Sequence, residues 1–179
     1  MKQIGFIVFT LFLAVSPLQA ESLTFYEAAE QITSPESLAD FLNHNFQHQE
    51  DRDIFGVADY WQSPDEFALN GRGDCEYFAL YSERMLQSLS YEAYVVSLYG
   101  ENGYAHTLTL FEEDGRINAI NENELIKLDS KTLEEALEAI YPGWVWAAIA
   151  EERSHRGWSI QEIWKKLPTE DEPYSSNKH

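Results

Sequence analysis

The sequence predicts an α+β domain in which helices pack on a small antiparallel sheet. Three observations carry this. Cys75, Phe78, Ala79, Ser82, Met85, Leu86 and Leu89 recur at steps of three and four, one face of a strong helix. The next stretch changes period: Tyr94-Val95-Val96-Ser97-Leu98-Tyr99 is rich in strand formers. Two turn signals, Asn102-Gly103 and Asp114-Gly115, then cut the middle of the chain into three short strands.

The elements follow in order. Apolar positions at helical spacing predict a helix over 23–32. Ser34-Pro35-Glu36-Ser37 starts a second helix that runs to about Phe46, with Ser34 as N-cap and Pro35 in the first turn. Gln47 to Asp53 is polar and reads as loop. Ser63-Pro64-Asp65-Glu66 repeats the helix-start signal before Phe67, Ala68 and Leu69, and Asn70-Gly71-Arg72-Gly73 breaks that helix. The cysteine helix comes next, with Asp74 as a candidate cap. The meander occupies 93–99, 104–111 and 116–121. Asp129-Ser130 caps a helix over Leu133, Ala136, Leu137 and Ile140, ended by Pro142-Gly143. Trp144 to Ala150 reads as strand, with a buried helix as the alternative. Ser159 to Leu167 reads as a short C-terminal helix.

The ends read differently from the domain. Residues 1–20 carry a weakly basic start, an apolar run from Ile4 to Val15 and a small residue at Ala20, the pattern of a secretory signal. The apolar run is too short for the ~20 residues of a spanning helix, so no stable membrane anchor is expected after cleavage. Residues 168–179 are polar and interrupted by proline, an expected disordered acidic tail. The domain is expected over 21–167.

Of the 179 residues, 31 are acidic and 12 basic, a formal charge of −19. Nucleic-acid binding needs a basic face, and anionic lipid repels such a chain. An acidic surface of this size favours basic peptides by steering. One cysteine excludes an internal disulfide and any multi-cysteine metal site. An exported protein with one thiol must pair it with another molecule or keep it free for a use.

Cys75 sits at the start of a helix, where free N–H groups and the helix dipole favour a thiolate. Asp74 and Glu76 bracket it and oppose that effect, while Arg72 stands near enough in sequence to offset one charge. A nucleophile needs a base, and the base an orienter. Five histidines exist, at 44, 48, 106, 155 and 179. His106 lies inside a strand, where a rigid base belongs. A four-residue loop at 112–115 places Asn121 directly opposite His106. A two-residue Asp114-Gly115 turn places Asn123 opposite and Asn121 diagonally, on the same face. Directly opposed residues have Cβ atoms roughly 4.5–5.5 Å apart. His44 and His48 are spaced to share a helix face but lack a third ligand, so they read as solvated. Trp144, Trp146, Trp158 and Trp164 read as core and surface cover.

At this point the chain resembles the transglutaminase-like superfamily, in pattern most of all the bacterial transglutaminase-like cysteine proteinases. Trp61-Gln62-Ser63-Pro64, Gly71-Arg72-Gly73-Asp74-Cys75-Glu76, a strand histidine at 106 and Asn121 carry the resemblance. It implies a papain-like core, with Cys75 as nucleophile, His106 as base and Asn121 as orienter in a position that is usually Asp. It implies Gln62 and the Cys75 N–H as oxyanion donors. It also implies a protein or peptide substrate, a thioester intermediate and no organic cofactor. Calcium-regulated members carry a further acid after the Cys-Glu pair; Tyr77 stands there, so no metal site is expected. Two other readings stay open: a catalytically degenerate domain that binds a protein or cell-wall partner, and an amine-transferring transglutaminase.

Overall fold

A computed structural model describes residues 24–166 except 59, 61, 102, 155 and 156, and side chains except those of 150–159 as well. The expected signal segment 1–20 and tail 168–179 lie outside the described residues, as do Trp61, His155, His179 and the Trp158 side chain.

The expected α+β arrangement is found. Six strands form one antiparallel sheet: β3 (Glu92–Gly100), β4 (Ala105–Glu113), β5 (Arg116–Asn121), β6 (Glu124–Ser130), β7 (Trp144–Ser154) and β8 (Gly157–Lys165). Their spatial order is β6-β5-β4-β3-β7-β8. On one face lie α1 (Phe25–Ala29), α2 (Pro35–Asn45), α4 (Pro64–Asn70) and α5 (Cys75–Ser88). On the other face α6 (Leu133–Ile140) covers Val96, Leu98, Leu108, Leu110 and Ala119.

Helix starts follow the chemistry of their first residues. Ser34 accepts from the Ser37 N–H and Ser63 from the Glu66 N–H, each with the reciprocal bond of a capping box. Gly71 closes α4 in the left-handed conformation, φ +68°. The aromatic core lies between the helices. Phe67, fully buried, meets Phe46 in a stack at 4.5 Å and Phe78 edge-on at 5.0 Å. The Thr109 hydroxyl donates to the Ala79 carbonyl at 2.6 Å and pins α5 to the sheet.

Four expectations change. Gln47 to Asp53 is not loop throughout: β1 (Gln47–His48) pairs in parallel with β2 (Arg72–Gly73), and α3 (Asp51–Phe55) follows. The partner of β1 is distant in sequence, so no local pattern announces it. Residues 124–130, with no assigned element, form edge strand β6. Asp129 and Ser130 belong to it, and Thr132 caps α6 instead, accepting from the Glu135 N–H. The C-terminal helix expected over 159–167 is strand β8. Its register shows why the pattern misleads. Ile160 faces Ala150 and Ile163 faces Ala148, with a bulge between them. The extra residue puts two apolar side chains three apart on one strand face, which mimics helical spacing. Residues 23–32 shrink to the five-residue α1.

Candidate active site

Cys75 opens α5. β2 delivers it, and the fit there is tight. A Cβ on Gly73 would stand 2.3 Å from Tyr77 Cδ2 and 3.1 Å from Gln62 Nε2. Only glycine passes between that ring and that amide. Asp74 occupies the N-cap position but makes no capping bond; its Oδ1 is buried without a hydrogen-bond partner. The carboxyl is pushed up to about 6, first by burial and then by Asp51.

The thiol is free and half-buried. The Thr107 backbone N–H donates to it, which favours the thiolate, but burial outweighs this. Burial first, and then Asp74, Glu76 and Glu122, push the thiol up to about 11. The helix N-terminus therefore does not win here. Arg72 gives no ion pair to Asp74 among the described residues; its Nη1 reaches Gln49 Oε1 at 3.5 Å.

His106 is half-buried on β4, one residue before Thr107, whose backbone N–H is the group that meets the thiol. The hairpin uses the two-residue alternative. Glu113 pairs with Arg116, and Asp114 and Gly115 have φ +53° and +71°. Both positive values suit a tight hairpin turn. Asn121 is thus diagonal to His106, and the side chains still meet: Nε2 to Oδ1 is 2.6 Å. The amide oxygen only accepts, so Nε2 carries the proton and Nδ1 keeps a lone pair. That tautomer leaves the ring able to take a proton on its other side.

Gln62 is buried at 3% exposure. Its Nε2 donates to the Arg72 carbonyl at 3.3 Å, and its Oε1 accepts from Asn70 at 2.6 Å. The amide is held against the loop that delivers the cysteine. Asn70, legible in the sequence only as part of a helix stop, orients it.

Tyr104 is a second residue not anticipated. It stands two positions before His106, the spacing of one strand face, with ring centroids 6.1 Å apart. It also leans on Tyr141 at 4.3 Å. Its hydroxyl is pushed up by burial and then by Cys75. His44 and His48 do not converge. His44 Nδ1 donates to the Asp40 carbonyl, and His48 contacts Glu50 and Glu122. Trp144 is buried, while Trp146 is exposed and stacks on Tyr99 at 3.6 Å.

A third carboxylate joins Asp74 and Glu76, and it does not come from position 77. Asp51, on α3, is buried, and the ligand atoms of the three acids lie within 4.8 Å of one another. Tyr77 instead donates its hydroxyl to Asp51 Oδ1 at 2.8 Å, and the Tyr60 N–H donates to Oδ2 at 2.5 Å. The set is all oxygen and carries up to three negative charges, the donor chemistry of a hard cation such as calcium.

Comparison with known proteins bears on the same stretch. The family described as bacterial transglutaminase-like cysteine proteinase matches residues 16–132. Calcium-bound LapG of Legionella pneumophila is similar in structure, 20% identical, covering 80% of this chain and 81% of that one with a TM-score of 0.49. A candidate cysteine protease from Cytophaga hutchinsonii is 14% identical and covers 84% of this chain and 51% of its own, with a TM-score of 0.43. No curated protein matches the sequence. With the family matched over more than half of its length, the chain belongs to the bacterial transglutaminase-like cysteine proteinases.

Proposed function

We propose that this protein is an exported thiol hydrolase that cleaves a peptide or amide bond through a thioester on Cys75. The observation that carries the reading is the 2.6 Å contact between His106 Nε2 and Asn121 Oδ1, on the strand segment whose next N–H meets the thiol.

The chemistry follows from the resting state. With the thiol near 11, the neutral S–H form dominates at pH 7. No preformed ion pair is needed: His106 Nδ1 takes the proton as sulfur attacks the carbonyl, which is general-base catalysis. Asn121 holds the ring in the Nε2–H tautomer and accepts from it as charge develops. The Gln62 amide and the Cys75 N–H receive the oxyanion. His106 returns its proton to the leaving amine, and water resolves the thioester; a second amine in place of water makes the reaction a transfer.

Asp51, Asp74 and Glu76 would hold a divalent cation of the calcium type, and Asp74 Oδ1, buried and unpartnered, fits that use. Such an ion would supply positive charge against the carboxylates that now oppose the thiolate. Export rests on the signal-like residues 1–20. Among the described residues no helix is long and apolar enough to cross a membrane.

The competing reading is a binding module without chemistry, and the raised thiol favours it. Mass spectrometry on protein quenched during turnover of a peptide panel separates the two. The hydrolase gives an acyl adduct on Cys75, and His106→Ala lowers turnover by about 10²–10⁴-fold. A partner-binding domain gives neither adduct nor turnover. A labelled primary amine added to the same panel reports transfer.

A further inference from the structure

The turn between β5 and β6 sends three consecutive side chains to three different elements. Asn121 meets His106 on β4 at 2.6 Å. Glu122 meets His48 Nδ1 on β1 at 3.3 Å. Asn123 Nδ2 donates to Asn43 Oδ1 on α2 at 3.0 Å. Glu122 itself has φ +52°, a left-handed conformation that a non-glycine residue keeps only where its surroundings hold it.

The anchors belong to the other half of the site. His48 is paired with Gly73 in the β1–β2 ladder, and the Gln49 N–H donates to the Gly73 carbonyl at 2.9 Å. Gly73 lies two residues before the nucleophile. One end of the His48–Glu122 contact is thus fixed to the segment that delivers Cys75. The other end adjoins the residue that orients His106.

We propose that His48 and Glu122, with Asn43 and Asn123 beside them, form a clasp that sets the position of the His106 ring relative to Cys75. The four are positioning residues and act through Asn121. The importance of the clasp for turnover rests on the hydrolase reading; its effect on the ring does not.

The sign of one substitution separates the clasp from simple electrostatics. Glu122 is among the carboxylates that raise the thiol. If charge were its whole effect, Glu122→Gln would favour the thiolate and speed reaction. If it positions the base, the same change slows turnover. His48 and Glu122 are both partly exposed, so losing the contact leaves Tm within about 4 °C, and unfolding does not confuse the result.

The test is ¹⁵N NMR of the His106 imidazole in the full chain, with kinetics on the same samples. The variants are Glu122→Gln, His48→Gln, their double, Asn123→Ala and, as a control beside the same turn, Glu124→Gln. The clasp predicts that the His106 Nε2–H exchanges with water about tenfold faster in Glu122→Gln and in His48→Gln, no faster still in their double, and faster than in the wild type in Asn123→Ala. It predicts an unchanged rate in Glu124→Gln. It also predicts kcat lowered about tenfold with KM within twofold. A ring N–H unmoved by Glu122→Gln, additive effects in the double, or faster turnover in Glu122→Gln overturns it. A wild-type protein that turns over no substrate yet shows the exchange effect refutes the hydrolase reading and leaves the clasp standing.

Discussion

At the scale of single residues, the molecule sets two demands against each other at Cys75. A helix start and the Thr107 N–H favour the anion, while burial and three carboxylates oppose it, and the opposition wins. Asp74 shows the same strain, with its carboxyl pushed up from 3.8 to about 6 by burial and by Asp51. Between those values the folded protein binds more protons than the unfolded chain. This group therefore favours folding at low pH, and its contribution falls as pH rises through about 6. Asp74→Asn removes the penalty. Calorimetry in a chelator should show the variant melting about 2–4 °C higher at pH 7.5, the shift that roughly 1 kcal/mol gives in a chain of this size. At pH 4.5 the gain should shrink, and it should vanish only below about 3.8, where the carboxyl is protonated in the folded and unfolded chain alike. A gain equal at both pH values would mean that Asp74 carries no unfavourable charge.

Elements decide which residues meet, and here the sequence is read unevenly. Capping boxes at Ser34 and Ser63 and the glycine stop at Gly71 are local, so α2 and α4 are legible. The cysteine helix and the hairpin are legible for the same reason, and with them the meeting of His106 and Asn121. The diagonal contact shows the margin: the turn fixed the register, and side chains on one face still reached each other. The short α3 has no comparable signal. It brings Asp51 to Asp74 and Glu76 across more than twenty residues of chain, so the full carboxylate group is visible only when folded. If α3 and the start of α5 together form a cation site, calcium at a hundred times its Kd should add about 2.7 kcal/mol to stability. That raises Tm by roughly 5–11 °C. Asp51→Asn should abolish the rise. A Tm indifferent to calcium and chelator excludes the site.

At the scale of the whole molecule, one sheet organises everything. Helices α2, α4 and α5 share a buried aromatic core on one face and α6 covers the other. α5 packs on β4 through the Thr109–Ala79 bond, and His106 near the start of β4 meets Asn121 at the end of β5. Edge strands β6 and β8 were the least legible part. β6 lies between a tight turn and a cap signal, and β8 carries a bulge that imitates a helix. Neither error reached the site, because the site hangs on the central strands. The acidic surface belongs to this scale too, and it repels anions from the whole chain.

Alkylation of Cys75 by neutral iodoacetamide from pH 6 to 10 shows whether Cys75 and His106 act as one unit. With the base in place, the wild-type thiol reacts at pH 7 at least about tenfold faster than in His106→Ala, and the gap closes toward pH 10 as the thiol ionises unaided. Superimposable curves for the two proteins would mean that His106 takes no proton from Cys75.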